Sequence, residues 1–256
     1  MTSTRLDVTD RDAVMGAVTS ARPDVVIHAA AWTAVDACEG DPDKALRVNA
    51  LGSRHVAEAC SRTSAYLCAV STDYVFDGTA TVAYTEWDRT NPQSVYGRSK
   101  LAGEREIQGL VPGAAVVRTS WLCGAGGPNF VKTMLGLARE TGREVRVVAD
   151  QRGCPTFTTD LADVIRQLAV GRTAGLFHVT NQGATTWHGF AGAIFEAAGS
   201  DPGRVIAIAT SELDPPRAAP RPAFSVLDNA AMRLSGIPLL PDYHEPLERL
   251  VKELSV

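Results

Sequence analysis

The chain has 256 residues, a formal net charge of −4 at pH 7 and 45% hydrophobic residues, the balance of an ordinary globular protein. The acidic charge and the lack of a basic run argue against a nucleic-acid partner. No apolar run approaches 18 residues and the segment "MTSTRLDVTDRD" is polar, which argues against a membrane span or a signal peptide. Five cysteines without C-x-x-C spacing argue against a disulfide framework or a zinc site and predict a cytoplasmic location. They are Cys38, Cys60, Cys68, Cys123 and Cys154.

Helical and strand patterns alternate along the first 120 residues. After Asp10, a plausible N-cap, the sequence predicts in turn a helix, a strand, a long helix, a strand, a helix and a strand. Their sequences are "RDAVMGAVTSA", "DVVIHAAA", "DPDKALRVNALGSRHVAEACSRT", "AYLCAVST", "YGRSKLAGEREIQGL" and "AAVVRTSW". This order predicts an α/β fold, with a parallel sheet covered by helices on both faces. Ligands bind at the carboxyl ends of such strands, where "HAAAWT", "STDY" and "RTSW" fall.

The pattern changes after Trp121. A glycine loop, "LCGAGGPNF", precedes two further helical patterns, and the tail "SELDPPRAAPRPAFSVLD" is rich in proline. Such a tail predicts an irregular segment over the surface or over a cleft. We expect residues 1–120 to form one domain and residues 121–256 to form mainly a smaller lobe, with segments returning to the first domain.

Tyr96 and Lys100 are the first candidates for a chemical role. The chain has 5 tyrosines and only 4 lysines, so random placement predicts about 0.08 Tyr-x-x-x-Lys pairs. Residues four apart share one face of a helix, and a nearby ammonium lowers the pKa of a phenol. The pair is therefore typical of a tuned general acid, although a half-buried tyrosine beside a solvated lysine has the same spacing.

Thr72 and Trp121 lie at the ends of the strands that precede and follow this helix. Thr72 is in position to hydrogen-bond the same carbonyl oxygen as Tyr96, although Ser, Thr and Asp also favour ordinary turns. Trp121 either stacks on a sugar face or fills the core.

Together these residues resemble a known family. Thr72, Tyr96 and Lys100 match the catalytic set of the extended short-chain dehydrogenase/reductases. The motifs "STDYVFDG", "YGRSKLAGE", "RTSW", "PNFVKTML", "DQRGCPT" and "TTWHGFA" are together similar to the dTDP-4-dehydrorhamnose reductases, over nearly the whole chain. The resemblance implies a Rossmann-type doubly wound sheet, with residues 1–120 binding a dinucleotide and the smaller C-terminal lobe binding substrate. It implies hydride transfer from NADPH or NADH to the 4-keto group of a dTDP-4-keto-6-deoxyhexose.

The resemblance also implies roles for individual residues. Tyr96 would donate a proton to the developing alkoxide, Thr72 would hydrogen-bond the same oxygen, and Lys100 would lower the phenol's pKa and hold the nicotinamide ribose. Asn49 would support the site. The implied cofactor-binding residues are Asp7, Val8, Ala30, Ala31, Thr33, Ser71, Tyr96 and Lys100. The implied substrate-binding residues are Thr72, Tyr74, Trp121 and Arg221, with Arg217 close to the last.

Two departures from the family limit these implications. Cys123 follows "RTSWL" where relatives commonly carry a tyrosine. Relatives also begin with a strand, a glycine-rich turn and a helix that receive the pyrophosphate, whereas this chain begins near the third strand. We therefore expect either a longer natural protein, or an N-terminally incomplete or rearranged sheet that binds the dinucleotide badly.

The sequence leaves two further functions open. The chain could be a non-catalytic dinucleotide-binding regulatory subunit, or a 4-ketoreductase of an antibiotic-sugar pathway. The expected partner is a dTDP-sugar, without nucleic acid or membrane, and a homodimer is left open. Relatives dimerise with Mg²⁺, but no carboxylate set supports a metal site in this sequence.

Overall fold

The structure is a computed structural model that describes residues 6–140 and 142–255. Within these residues the strands are β1 (Val25–His28), β2 (Tyr66–Thr72), β3 (Ala115–Thr119), β4 (Leu122–Cys123), β5 (Val145–Val148), β6 (Arg152–Gly153), β7 (Thr156–Phe157), β8 (Gly175–His178), β9 (Thr185–Thr186) and β10 (Val205–Ile208). The helices are α1 (Arg11–Ala21), α2 (Val35–Gly40), α3 (Pro42–Leu46), α4 (Gly52–Thr63), α5 (Val95–Leu110), α6 (Phe130–Arg139), α7 (Thr158–Gly171), α8 (Trp187–Ala197), α9 (Ala230–Leu234) and α10 (His244–Leu254).

Four parallel strands form the main sheet in the order β1-β2-β3-β8. Cys68 of β2 is in register with Ala115 of β3, and Thr72 with Thr119. β1 is at the edge of the sheet and pairs with β2 alone among the described strands, and its Ile27 is 44% exposed. The predicted α/β fold with a parallel sheet is confirmed, and no rearranged pairing is seen in the described residues.

Helices cover both faces of this sheet because alternate strand residues point to opposite sides. Leu67 of β2 and Val116 of β3 belong to a buried cluster with residues of α1, α4 and α5. Cys68 and Val117, their neighbours in sequence, belong to a second cluster with residues of α7 and α9. The near-continuous apolar runs of these strands follow from this double burial.

A further hydrophobic cluster lies outside the sheet. Its centre comprises Val131 of α6, Phe190 and Ile194 of α8, and Leu247 of α10, all buried. β5 pairs with β10 in parallel beside it. By contrast α7 and β8, from the same half of the sequence, pack with the main sheet.

The long helix predicted before β2 is interrupted. α3 and α4 are joined by a π-helical turn, Arg47–Leu51, with helical backbone angles at both junctions. The turn holds Asn49, whose side chain accepts from Trp32 N at 2.7 Å and donates to Ser99 Oγ at 2.9 Å. π-turns inside helices are frequent at functional sites, and here the extra residue turns Asn49 inward towards α5.

The described residues contain neither a membrane-spanning helix nor a metal-binding cluster. No helix among them has the length and apolar character needed to cross a bilayer. Nor do they contain a group of three or more His, Cys, Asp or Glu side chains arranged to hold a metal ion.

Candidate active site

α5 brings Tyr96 and Lys100 to the carboxyl end of β2. The Ser94 hydroxyl caps the helix by accepting from Gly97 N at 3.1 Å. Lys100 Nζ donates to Val70 O at 2.8 Å, and the Tyr96 phenol lies near the Thr72 hydroxyl at the end of the same strand. The two side chains therefore lie on one face of α5, as the i and i+4 spacing predicts.

Gly97 allows this close approach of α5 to the turn after β2. A Cβ atom at this position would lie 2.2 Å from Tyr74 O, a backbone atom that cannot move independently. The approach also sets the Tyr74 ring edge-on to the Tyr96 ring, with centroids 5.5 Å apart. Glycine at this point thus positions the two tyrosines relative to Thr72.

The protonation of Tyr96 differs from the sequence expectation. Burial raises the pKa of Tyr96 above its usual value, the nearby Thr72 hydroxyl lowers it, and the charge of Asp73 raises it further. The net lowering of this pKa that was expected from Lys100 is not seen. The reason is that the phenol is only 8% exposed, so desolvation of the phenolate dominates.

A raised pKa keeps Tyr96 fully protonated at neutral pH. The chemical requirement of a ketone reduction is a proton for the developing alkoxide, which is far more basic than any phenolate. A protonated, desolvated phenol meets that requirement as a general acid. Donating this proton leaves a phenolate, which the burial disfavours, so the step requires positive charge to offset that cost.

Lys100 is a buried cation with a shifted pKa. Burial lowers its pKa to about 8, and the charge of Glu104 one turn further along α5 opposes this shift. Burial, together with the Lys100 charge, also lowers the pKa of His28 at the end of β1 to about 4. His28 is therefore neutral at pH 7, and Lys100 is the cation on the Tyr96 face of α5.

A buried ion pair supports this end of the sheet. Arg118 of β3 binds the Glu104 carboxylate in bidentate geometry, with Nη2–Oε2 at 2.7 Å and Nε–Oε1 at 3.0 Å. The Ser71 hydroxyl donates to Glu104 Oε1. Sequence analysis missed Glu104 and Arg118, although a glutamate four residues after Lys100 and an arginine inside an apolar strand are both visible signals.

Tyr74 and Arg221 meet in a cleft of about 190 Å³. The lining residues are Tyr74, Phe76, Asp77, Gln93, Ser94, Pro220, Arg221 and Pro222. The Arg221 guanidinium binds both oxygens of Asp36 in α2, at 2.5 and 2.7 Å. Arg217 approaches Asp36 only to 3.8 Å and is exposed. The predicted proline-rich tail thus forms one wall of the cleft, and Arg221 is the arginine that faces Tyr74.

Trp121 has a strained backbone and an aromatic partner. Its φ is +48°, a left-handed conformation that bulky residues rarely adopt. Its indole stacks on that of Trp187, with centroids 3.6 Å apart and planes inclined by 10°, and a Cβ at Gly153 would lie 2.7 Å from the Trp121 ring. Strain of this kind clusters at functional sites. Trp187, from the "TTWHGFA" motif, is another residue that was not predicted from the sequence.

The predicted cofactor-side residues lie at two places. Ala30, Ala31 and Thr33 follow β1 in a loop that also holds Trp32, whose backbone is bound by Asn49. Asp7 is exposed and accepts hydrogen bonds from Thr9. Val8 packs against Gly52, where a Cβ would lie 2.8 Å from its side chain, and its carbonyl is 3.0 Å from His55 Nδ1.

The donor set fits the ribose end of a nicotinamide dinucleotide. Lys100 supplies a cation and Tyr96 a hydroxyl at the ends of parallel strands, the usual position of a dinucleotide. The small Ala30 and Ala31 leave room for close approach of a ligand to the backbone. The hydroxyl of Ser71, another predicted cofactor residue, is instead committed to Glu104.

A family model described as "RmlD substrate binding domain" matches residues 1–256. The chain belongs to this family. A dTDP-4-dehydrorhamnose reductase of Streptomyces griseus is 45% identical over 238 residues, covering 91% of this chain and 77% of the relative. The predicted family is thereby confirmed.

Two further matches bear on chemistry. A probable dTDP-4,6-dihydroxy-2-methyloxan-3-one 4-ketoreductase of Streptomyces antibioticus is 42% identical, covering 97% of this chain and 84% of the relative. A crystal structure of dTDP-4-dehydrorhamnose reductase from Bacillus anthracis in complex with NADP is 40% identical, with a TM-score of 0.94. That match covers 99% of this chain and 89% of the Bacillus anthracis chain.

Proposed function

We propose that this chain reduces the 4-keto group of a dTDP-4-keto-6-deoxyhexose with NADPH or NADH. The proposed substrate is dTDP-4-dehydro-L-rhamnose and the proposed product is dTDP-L-rhamnose. The observation that carries the proposal is the proximity of the Tyr96 phenol to the Thr72 hydroxyl at the end of β2, with the Lys100 ammonium on the same face of α5. Membership of the reductase family supports it.

In this proposal each buried group has one task at the ketone oxygen. A bound reduced nicotinamide would supply the hydride. Tyr96 donates the proton, Thr72 donates a hydrogen bond to the same oxygen, and Lys100 supplies positive charge as negative charge develops. Their burial excludes water, so these interactions act in a medium of low dielectric constant.

Binding is divided between two sets of residues in the same proposal. Asp7, Val8, Ala30, Ala31 and Thr33 contact the dinucleotide, together with Tyr96 and Lys100, while Ser71 contributes indirectly by fixing Glu104. Tyr74, Trp121 and Arg221 contact the dTDP-sugar, with Thr72. Residues 1–120 then mainly form the dinucleotide domain and residues 121–256 mainly form the substrate lobe. The homodimer and the cytoplasmic location stay predictions.

Oxidation of NADPH in the presence of dTDP-4-dehydrorhamnose tests the proposal. Replacing Tyr96 by Phe removes the proton donor and should lower kcat by about 10²–10⁴. The matched control is Tyr66→Phe, because the Tyr66 hydroxyl donates to Thr173 O at 2.8 Å, at the opposite end of β2. The control should keep its turnover. Unchanged turnover in Tyr96→Phe would remove Tyr96 from its role.

The similarity to the Streptomyces antibioticus protein favours a second candidate, a 4-ketoreductase of an antibiotic sugar. Comparing kcat/KM for dTDP-4-dehydrorhamnose with kcat/KM for a panel of dTDP-4-keto sugars distinguishes the two. A third candidate, a non-catalytic regulatory subunit, predicts cofactor binding without turnover of any of these sugars.

A further inference from the structure

The Thr72 hydroxyl has one proton and lies among several groups that can form hydrogen bonds with it. Its Oγ1 is 3.1 Å from Asp73 Oδ1 and accepts from Tyr74 N at 3.2 Å. The Tyr96 phenol also lies near it. A hydroxyl donates only once. If Thr72 donates to Asp73, it has no proton left for a substrate oxygen.

The protonation state of Asp73 decides whether the Thr72 proton is available to a substrate oxygen. The Asp73 side chain is 2% exposed and lies between Thr72 and Tyr74 at the end of β2. Its second oxygen, Oδ2, has no hydrogen-bond partner among the described residues. An ionised carboxylate only accepts hydrogen bonds, whereas a protonated carboxyl also donates one.

We propose that Asp73 is a positioning residue whose carboxyl group sets the direction in which Thr72 donates its proton. This inference rests on the proposed reduction. Ionised Asp73 takes the Thr72 proton and makes Thr72 an acceptor. Protonated Asp73 donates to Thr72 Oγ1 and leaves the Thr72 proton free for the ketone oxygen. The chain Asp73→Thr72→ketone oxygen then completes the pair of donors begun by Tyr96.

The surroundings of Asp73 raise its pKa, so that its carboxyl is protonated below about pH 6. Burial raises its pKa to about 6, against the effect of the nearby hydroxyl groups of Ser225 and Thr72. Three further titratable groups face it from the elements packed around it: Tyr96 of α5, Tyr74 in the same turn, and Cys154 between β6 and β7. The cation Arg221 and its partner Asp36 lie beyond Tyr74.

The pH dependence of kcat/KM between pH 5 and 7 tests the inference below the pKa of Lys100, which is about 8. The wild type should lose on the order of tenfold in kcat/KM as pH rises from one unit below to one unit above the apparent pKa of Asp73. Asp73→Asn always carries an N–H donor and should lack this decline. Glu86→Gln is the control, because Glu86 is a buried carboxylate that bonds His178 N and Ala231 N instead. It should keep the decline. A decline that persists in Asp73→Asn would overturn the inference.

A second measurement does not depend on turnover or on the Asp73→Asn fold. Carboxyl ¹³C NMR of the wild type should show Asp73 titrating near pH 6. In Thr72→Val the loss of the hydroxyl donor should move this titration to higher pH, whereas an unchanged value would refute the coupling between the two residues. If the wild type reduces no keto sugar but the NMR shift appears, the proposed function fails and the geometric coupling stands.

Discussion

Replacing Arg118 by Met should strongly destabilise the protein, because it leaves the Glu104 charge buried. The side chains of Arg118 and Glu104 are 5% and 4% exposed, and their shortest contact is 2.7 Å. Methionine keeps much of the length and apolar volume, so the change isolates the loss of the guanidinium. The Ser71 hydroxyl still donates to Glu104, but one neutral donor does not replace a bidentate cation.

The expected loss follows from the burial. Breaking a buried pair by removing one partner costs about 3–5 kcal/mol, against a total stability of about 5–15 kcal/mol for a folded protein. For a chain of this length each kcal/mol corresponds to about 2–4 °C, so the melting temperature should fall by about 6–20 °C. The double variant Glu104→Met/Arg118→Met removes both charges and should recover most of this loss.

Thermal unfolding followed by circular dichroism and urea unfolding measure both effects. Arg146→Met is the matched control, because the Arg146–Glu212 pair at 3.2 Å is more than half exposed on both sides. Such pairs contribute about 0–1 kcal/mol. The reasoning would be refuted if Arg118→Met lost no more stability than Arg146→Met. It would also be refuted if the double variant were as unstable as Arg118→Met.

Two further predictions concern α5 and the tail. Gly97→Ala should lower the stability by about 1–3 kcal/mol, because the added methyl group would be overpacked against Tyr74 O. Gly109→Ala on the same helix faces open space and should raise the stability by about 0.5–1 kcal/mol. Urea unfolding of the two variants compares these effects. Hydrogen bonds from Arg221 lower the pKa of Asp36 to about 2, so the contribution of this pair is present above pH 3.8 and is lost as pH falls towards 2. Carboxyl NMR should show Asp36 titrating near 2 in the wild type and near its usual value in Arg221→Met, and equal values in the two proteins would contradict the assignment.

Much of the architecture was predictable from local patterns. The apolar strands and the helices between them have lengths and periods that indicate a parallel sheet, and the sheet has this form. The face shared by Tyr96 and Lys100 was also predictable, since residues four apart meet on any helix. The π-turn at Asn49 was not, because a single extra residue inside a helix leaves the apolar period almost unchanged.

Several features of the site were not predictable from local sequence patterns. The sequence by itself determined which side chains stand at the strand ends, because strand ends and helix faces follow from spacing alone. The tertiary structure alone decided the protonation of Tyr96, the pairing of Arg118 with Glu104 and the stacking of Trp121 on Trp187. Each of these depends on how deeply a group is buried, on partners far away in the chain, or on both. Burial and long-range contact are properties of the packed molecule, and no short segment of the sequence contains them.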